Sequence, residues 1–163
     1  MGFRAVDEIE QFSFDDCQIT KYEAGNTQLL FELEALVVRR NNSQNTNFTE
    51  SYAGTTTARF INGKIISGVK DGYKYYDANE TLVEEVPDTK LSPEEIENVL
   101  GRAEGAYLYF MERDSYEDGV YCYTMGIEFA DATDGTMAES YTLRLTFEKS
   151  IFEWERYMNR LTN

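Results

Sequence analysis

The side chains that most enzymes use for acid–base and nucleophilic catalysis are scarce in this sequence. Its 163 residues include 30 acidic and 15 basic side chains and no histidine, giving a formal net charge of −15 at pH 7. Without histidine there is no Ser-His-Asp or Cys-His system and no imidazole metal ligand. The negative charge opposes binding to nucleic acid or to an anionic membrane surface, so we predict neither as a partner.

Paired carboxylates are the catalytic groups that remain when histidine is missing. A glycosidase-like reaction needs two carboxyl groups about 5–10 Å apart across a cleft, one of them with a raised pKa. Glu32 and Glu34 stand two positions apart in an apolar run, so on a strand both would project from one face. They are candidate ligand-binding residues, although a solvated strand edge would show the same pattern. We assign no catalytic residue from the sequence.

Three tyrosines form the second candidate ligand site. Tyr73, Tyr75 and Tyr76 surround Lys74 between two turn signals. On a strand, Tyr73 and Tyr75 would share one face and Tyr76 the other, so at least one ring should reach the surface. An exposed ring could stack on a sugar, a base or a side chain of a partner. Ordinary sheet packing is the competing explanation.

The sequence predicts no metal site and no cofactor. Calcium loops need oxygen ligands at alternate positions, a glycine at the sixth and a carboxylate at the twelfth. The run that begins at Asp114 has Met125 at its twelfth position, and the run that begins at Asp77 has Leu82 in place of the glycine. The segment 131–135 is too short. There is also no glycine-rich phosphate loop.

Cysteine content and hydropathy bear on the compartment. No stretch approaches the roughly 20 apolar residues of a membrane span, and the N-terminus has no apolar signal segment. We therefore expect a soluble, cytoplasmic protein. Cys17 and Cys122 lie far apart in the sequence, so we expect both to be reduced and buried.

The elements that must position these residues are mostly strands. Gly25-Asn26, Asn62-Gly63, Asp71-Gly72, Asp118-Gly119 and Asp134-Gly135 are turn pairs flanked by β-branched and aromatic runs. In 141–148 apolar and polar residues alternate, which predicts a strand with one buried face. We predict strands at about 12–23, 27–39, 51–61, 64–70, 73–77, 81–86, 105–112, 119–130 and 137–148.

Two capping boxes predict helices. Ser92, Pro93 and Glu95 have the spacing of a helix start, and Gly101 that of a stop, which predicts a short helix near 92–100. Ser150 and Glu153 repeat the pattern and predict a C-terminal helix near 150–161. Its apolar residues Ile151, Trp154, Met158 and Leu161 would pack on the sheet.

Together these elements predict one mainly β (α+β) domain over residues 1–163. Its sheet should be a single antiparallel meander of about eight or nine strands, strongly bent or closed into a barrel of calycin-like shape. Residues 1–11 would form a frayed arm or a short helix. Such a domain would be a non-enzymatic ligand-binding or interaction module, with an unknown small ligand or a basic protein as its partner. The alternatives are an acidic inhibitor or immunity-type protein that binds a basic protein, and a carboxylate-dependent hydrolase.

Overall fold

A computed structural model describes residues 2–129 and 139–160, and within them the chain is mostly antiparallel β-structure. One α-helix, α1, spans Pro93–Gly101, and a 3-10 helix spans Ile9–Gln11. The strands are β1 (Phe3–Val6), β2 (Phe12–Ser13), β3 (Gln18–Ala24), β4 (Gln28–Glu34), β5 (Val37–Val38), β6 (Ser51–Ala53), β7 (Thr56–Ile61), β8 (Lys64–Lys70), β9 (Tyr73–Tyr76), β10 (Leu82–Val86), β11 (Thr89–Lys90), β12 (Tyr107–Glu117), β13 (Val120–Phe129), β14 (Glu139–Phe147), β15 (Lys149–Trp154) and β16 (Tyr157–Arg160).

The strands form three sheets rather than the predicted single meander. Ten strands make a large sheet in the order β1-β15-β7-β4-β3-β12-β13-β14-β8-β11. Four make a small sheet, β16-β6-β5-β2, and β9 and β10 pair only with each other. The meander is wrong because consecutive strands separate: β7 pairs with β4 and β15, whereas β8 pairs with β14 and β11. The mainly β, antiparallel class is confirmed.

Short links join strands that lie far apart in the order of the large sheet. β7 leads into β8 through Asn62 and Gly63, and β14 leads into β15 through Glu148 alone. The Glu148 amide donates to the Ile61 carbonyl at 2.9 Å, which ties the two links together. The strand order still has two ends, because β1 and β11 do not pair. The described strands therefore do not form the predicted closed barrel.

Aromatic side chains from several strands of the large sheet pack together in the hydrophobic core. The ring centroid of Phe60 lies 5.0 Å from that of Phe147 and 6.0 Å from those of Phe31 and Phe152. All four side chains are buried. On β14 the odd-numbered residues from Tyr141 to Phe147 are buried, as their alternation predicts. The interior is a packed hydrophobic core of the kind that gives a sheet its stability.

Helix α1 begins as the sequence predicts. The Glu95 amide donates to Ser92 Oγ at 3.2 Å, and the Ser92 amide donates to Glu95 Oε1 at 3.0 Å, which completes the capping box. Three apolar side chains of the helix are buried: Ile96, Val99 and Leu100. The predicted helix near 92–100 is thus confirmed.

The predicted C-terminal helix near 150–161 is wrong, because that segment forms β15 and β16. β15 lies between β1 and β7 and pairs with both. The Ser150 amide, expected in a helix cap, donates instead to Asp7 Oδ1 at 2.8 Å. The adjacent residues Ile151 and Phe152 are both buried, as in a strand covered on two faces. Trp154 is buried, Met158 is exposed and Leu161 lies outside the described residues.

The remaining predictions concern the N-terminus, one turn, the two cysteines and membrane-spanning helices. Residues 3–11 form β1 and the 3-10 helix, in place of a frayed arm or an α-helix. The Asp134-Gly135 turn lies outside the described residues, as do the ends of the strands predicted at 119–130 and 137–148. Cys17 and Cys122 are both buried and free. Within the described ranges no helix has the length and apolarity to cross a membrane.

Candidate functional site

The structure separates the five residues that the sequence singles out. The three tyrosines lie on β9, in the two-stranded sheet. Glu32 and Glu34 lie on β4, but only Glu34 lines the cleft described below. Glu32 Oε1 accepts a hydrogen bond from Thr20 Oγ1 at 2.9 Å on the neighbouring strand. The molecule therefore has two candidate regions among its described residues, the cleft and the β9–β10 hairpin.

The cleft lies between the small sheet and the middle of the large sheet, and its volume is about 770 Å³. That volume is within the range of small-molecule sites. The lining residues come from five separate stretches of chain: Asp16, Gln18, Glu34, Ala35, Tyr52, Ala53, Gly54, Thr55, Tyr107, Glu155, Arg156 and Met158.

Backbone contacts hold the walls of the cleft in place. The Gly54 amide donates to the Arg156 carbonyl at 2.7 Å, which joins the turn after β6 to the start of β16. The Ala53 amide donates to the Leu36 carbonyl at 2.9 Å. Between these walls, Ala35 has a φ of 58°, in the left-handed region that residues other than glycine rarely adopt. The surrounding pairing holds this unfavourable conformation at the cleft wall.

The opposite wall is the seam between β3 and β12. Tyr107 pairs with Gln18 across it, and the Gln18 side-chain amide donates to the Gly105 carbonyl at 3.0 Å. Only one register pair joins the two strands, so the seam is the shortest strand junction next to the cleft. The side chains of Tyr107 and Gln18 thus stand at the point where the two halves of the large sheet meet.

One carboxylate of the cleft is paired with a tyrosine. Tyr52 Oη donates a hydrogen bond to Asp16 Oδ2 at 3.3 Å. Desolvation raises the pKa of Tyr52, and the adjacent Asp16 charge adds to that rise. The phenol therefore stays protonated at neutral pH and donates to the Asp16 carboxylate on the cleft wall.

The other charged groups of the cleft have no partner among the described residues. Within the described residues, the side chains of Glu34, Glu155 and Arg156 make no hydrogen bond or ion pair. Three carboxylates and one guanidinium thus share a cleft with the rings of Tyr52 and Tyr107. This arrangement offers contacts both to a cation and to an anion, with two aromatic faces for apolar or cationic groups.

Most of this cleft could not be found from sequence spacing. Asp16, Tyr52, Tyr107 and Arg156 come from separate segments, and no local pattern relates them. The spacing of Glu34 from Glu32 makes both candidates, but Glu32 does not line the cleft. Within the described chain there is no group of three or more cysteine, aspartate or glutamate side chains suited to a metal ion.

The β9–β10 hairpin has a different character. The rings of Tyr73 and Tyr75 meet edge to face with centroids 5.5 Å apart, so the two do share one face as predicted. Tyr75 is 46% exposed and Tyr76 is 56% exposed. The predicted surface exposure of at least one ring is confirmed.

Comparison with known proteins adds no assignment: no protein-family model, no curated protein and no solved structure matches this chain.

Proposed function

We propose that this protein is a non-enzymatic binding module, and that its cleft holds a small zwitterion, such as a free amino acid or a short peptide. The observation that carries the proposal is the set of unpaired charges in one cleft. Glu34, Glu155 and Arg156 all line it without a partner among the described residues. Unpaired charges of both signs on a cleft wall are the complement of a ligand that also carries both signs.

The ligand's ammonium group belongs with the carboxylates and its carboxylate with Arg156. Ammonium–carboxylate and guanidinium–carboxylate contacts are charge-assisted hydrogen bonds, which are stronger than neutral ones. The rings of Tyr52 and Tyr107 supply apolar walls and favourable faces for an organic cation. A cleft of about 770 Å³ has room for a molecule of that size.

The hydrolase hypothesis receives less support from the same residues. It requires a carboxyl group whose pKa is raised by burial beside a cleft. None of the aspartate or glutamate side chains in the described ranges is buried. We therefore restrict the proposal to binding.

The proposal can be tested by calorimetric titration with L-lysine and with lysinamide, which lacks the free carboxylate. We expect lysine to bind more tightly than lysinamide, and Arg156→Gln to abolish that difference. Glu34→Gln should weaken lysine binding by about tenfold, the effect of losing one charged hydrogen bond. Glu112→Gln makes the same charge change on β12, at an exposed residue that does not line the cleft, and should leave binding unchanged.

Three results would contradict the proposed zwitterion binding. Equal binding of lysine and lysinamide by the unmodified protein would show that Arg156 recognises no carboxylate. Equal losses in Glu34→Gln and Glu112→Gln would place any binding outside the cleft. Either result, or no heat of binding at a lysine concentration of about 10 mM, well above that needed for a millimolar Kd, overturns the proposal.

A further inference from the structure

The hairpin of β9 and β10, residues 73–86, exposes apolar side chains that nothing in the described molecule covers. None of its nine strand residues is buried. Besides Tyr75 and Tyr76, Leu82 is 46% exposed and Val83 is 67% exposed. Isolated two-stranded hairpins are marginally stable in water, and contiguous exposed apolar side chains mark interaction surfaces. This feature is separate from the cleft.

The register of the hairpin assigns its side chains to two faces. Leu82 pairs with Tyr76, and Glu85 pairs with Lys74, so these four residues share one face. Glu84 pairs with Tyr75 and Val86 with Tyr73, which makes the opposite face. Val83 stands at the irregularity between them. Each face therefore combines apolar side chains with a glutamate.

Local hydrogen bonds give the hairpin a defined shape. Asp77 Oδ1 accepts from the amides of Asn79 at 2.8 Å and Thr81 at 3.0 Å, which closes the turn. At the base, the Gly72 amide donates to Asp88 Oδ1 at 2.7 Å. The chain then joins the large sheet where β11 pairs with β8. A preformed strand pair pays less conformational entropy on binding than a flexible loop does.

The charges of the hairpin select the kind of partner. Its carboxylates, Asp77, Glu80, Glu84 and Glu85, outnumber its one cation, Lys74, which already pairs with Glu85 at 3.7 Å. The whole chain carries a formal charge of −15. A second copy of this chain would bring like charges together, whereas a basic partner is attracted by the same field.

The backbone of the hairpin selects the mode of contact. β9 and β10 pair only with each other in the described structure, so each has an outer edge without a strand partner. Such an edge can accept a further strand, with main-chain hydrogen bonds giving affinity and side chains giving specificity. We propose that hairpin 73–86 docks a basic protein, one segment of which adds as an extended strand that alternates basic and apolar residues.

The probe for this surface is a fluorescent peptide in which lysine and valine alternate. A peptide in which glutamate and valine alternate is the control of opposite charge. Fluorescence anisotropy should show that the lysine peptide binds at least about tenfold more tightly than the glutamate peptide. Proline at the centre of the lysine peptide removes a backbone donor and should also weaken binding. Raising the ionic strength from about 0.05 M to about 0.2 M should weaken it as well.

Variants place the binding on the hairpin. The double change Tyr76→Ser and Leu82→Ser should weaken binding of the lysine peptide by about tenfold, because both side chains lie on one face. Tyr116→Ser alters an equally exposed tyrosine on β12 and should have no effect. Glu112→Gln makes a one-charge change on β12, outside both the hairpin and the cleft, and should also have no effect. The hairpin contributes no buried residue, so the fluorescence of Trp154 should confirm that the double variant is folded.

Several results would refute the inference. These are equal binding of the two peptides, equal affinity for the hairpin variant and Tyr116→Ser, and insensitivity to the central proline. The absence of binding at a peptide concentration of about 1 mM would also refute it. NMR amide shifts that move at cleft residues, and not at 73–86, would assign the peptide to the cleft instead.

Discussion

Strand β15 and the β9–β10 hairpin are both rich in aromatic residues, yet one is buried and the other projects from the molecule. β15 has four of its six residues buried, including Phe152 and Trp154. The hairpin has none of its nine strand residues buried. β15 has a strand on each side, β1 and β7, whereas each hairpin strand has one neighbour. The burial of these strands therefore depends on whether a strand has neighbours on both sides and a sheet face to pack on. It does not depend on aromatic content.

The type of aromatic residue agrees with this difference. The β15 rings belong to phenylalanine and tryptophan, and the hairpin rings all belong to tyrosine. A tyrosine hydroxyl remains hydrated while the ring presents an apolar face to a partner. We infer that β15 serves the stability of the fold and that the hairpin serves binding.

The largest expected effect is the loss of stability when β15 is truncated. Phe152 packs against Phe12, with centroids 4.8 Å apart, and against Phe60. Phe152→Ala should therefore lower the free energy of unfolding by about 3–5 kcal/mol, as large-to-small core changes do. Tyr76→Ala on the hairpin should change it by less than about 0.5 kcal/mol. Urea unfolding followed by Trp154 fluorescence measures both, and equal losses would contradict the comparison.

Helix α1 is intermediate in burial between β15 and the hairpin, because one of its faces is buried and the other is exposed. Ser92→Ala removes the side-chain acceptor of the capping box and should lower the free energy of unfolding by about 1 kcal/mol. The hydrogen bonds from the Ser92 backbone and side chain lower the pKa of Glu95. The stabilisation linked to that shift is present above the ordinary glutamate pKa and is lost as the pH falls through the lowered value.

Urea unfolding at several pH values checks this prediction. The difference between the unmodified protein and Ser92→Ala should be largest at neutral pH. It should begin to shrink below the ordinary glutamate pKa and go on shrinking as the pH falls through the lowered pKa of Glu95. Ser115→Ala, on an exposed part of β12 and outside any helix cap, is the matched control. A difference that grows at low pH would contradict the assigned role of Glu95.

The sequence predicted the elements of this fold better than it predicted their neighbours. The alternation of β14 and the capping box of α1 are local patterns, and the structure confirms both. The spacing of Ser150 and Glu153 equally fits a helix start, but that segment lies between β1 and β7. Pairing with residues 88 or more positions away overrides the local helix signal, and a local pattern contains no information about such partners.

The same limit applies to the candidate sites. The exposure of the hairpin tyrosines follows from period-two alternation between two turn signals, so the sequence could predict it. The cleft depends on how β3 meets β12 and how β6 meets β16, and these contacts join distant segments. Asp16 and Arg156 are 140 positions apart in the chain, and only the fold places them on one cleft.

The smallest expected effect on stability comes from a glycine at the end of α1, which can be compared with a glycine at the base of the hairpin. A Cβ atom added at Gly101, the last residue of α1, would have no neighbour within 4 Å, so Gly101→Ala should stabilise the protein by about 0.4–1 kcal/mol. A Cβ added at Gly72, at the base of the hairpin, would lie 2.0 Å from the Val86 carbonyl oxygen. Gly72→Ala must therefore move the backbone there, and the NMR signals of residues 73–86 should shift.

If Gly101→Ala fails to raise the urea midpoint, that helix end is constrained by contacts beyond the ones described. If the signals of 73–86 stay in place in Gly72→Ala, the hairpin base is looser than its hydrogen bonds indicate, and the rigid presentation inferred for the hairpin is wrong.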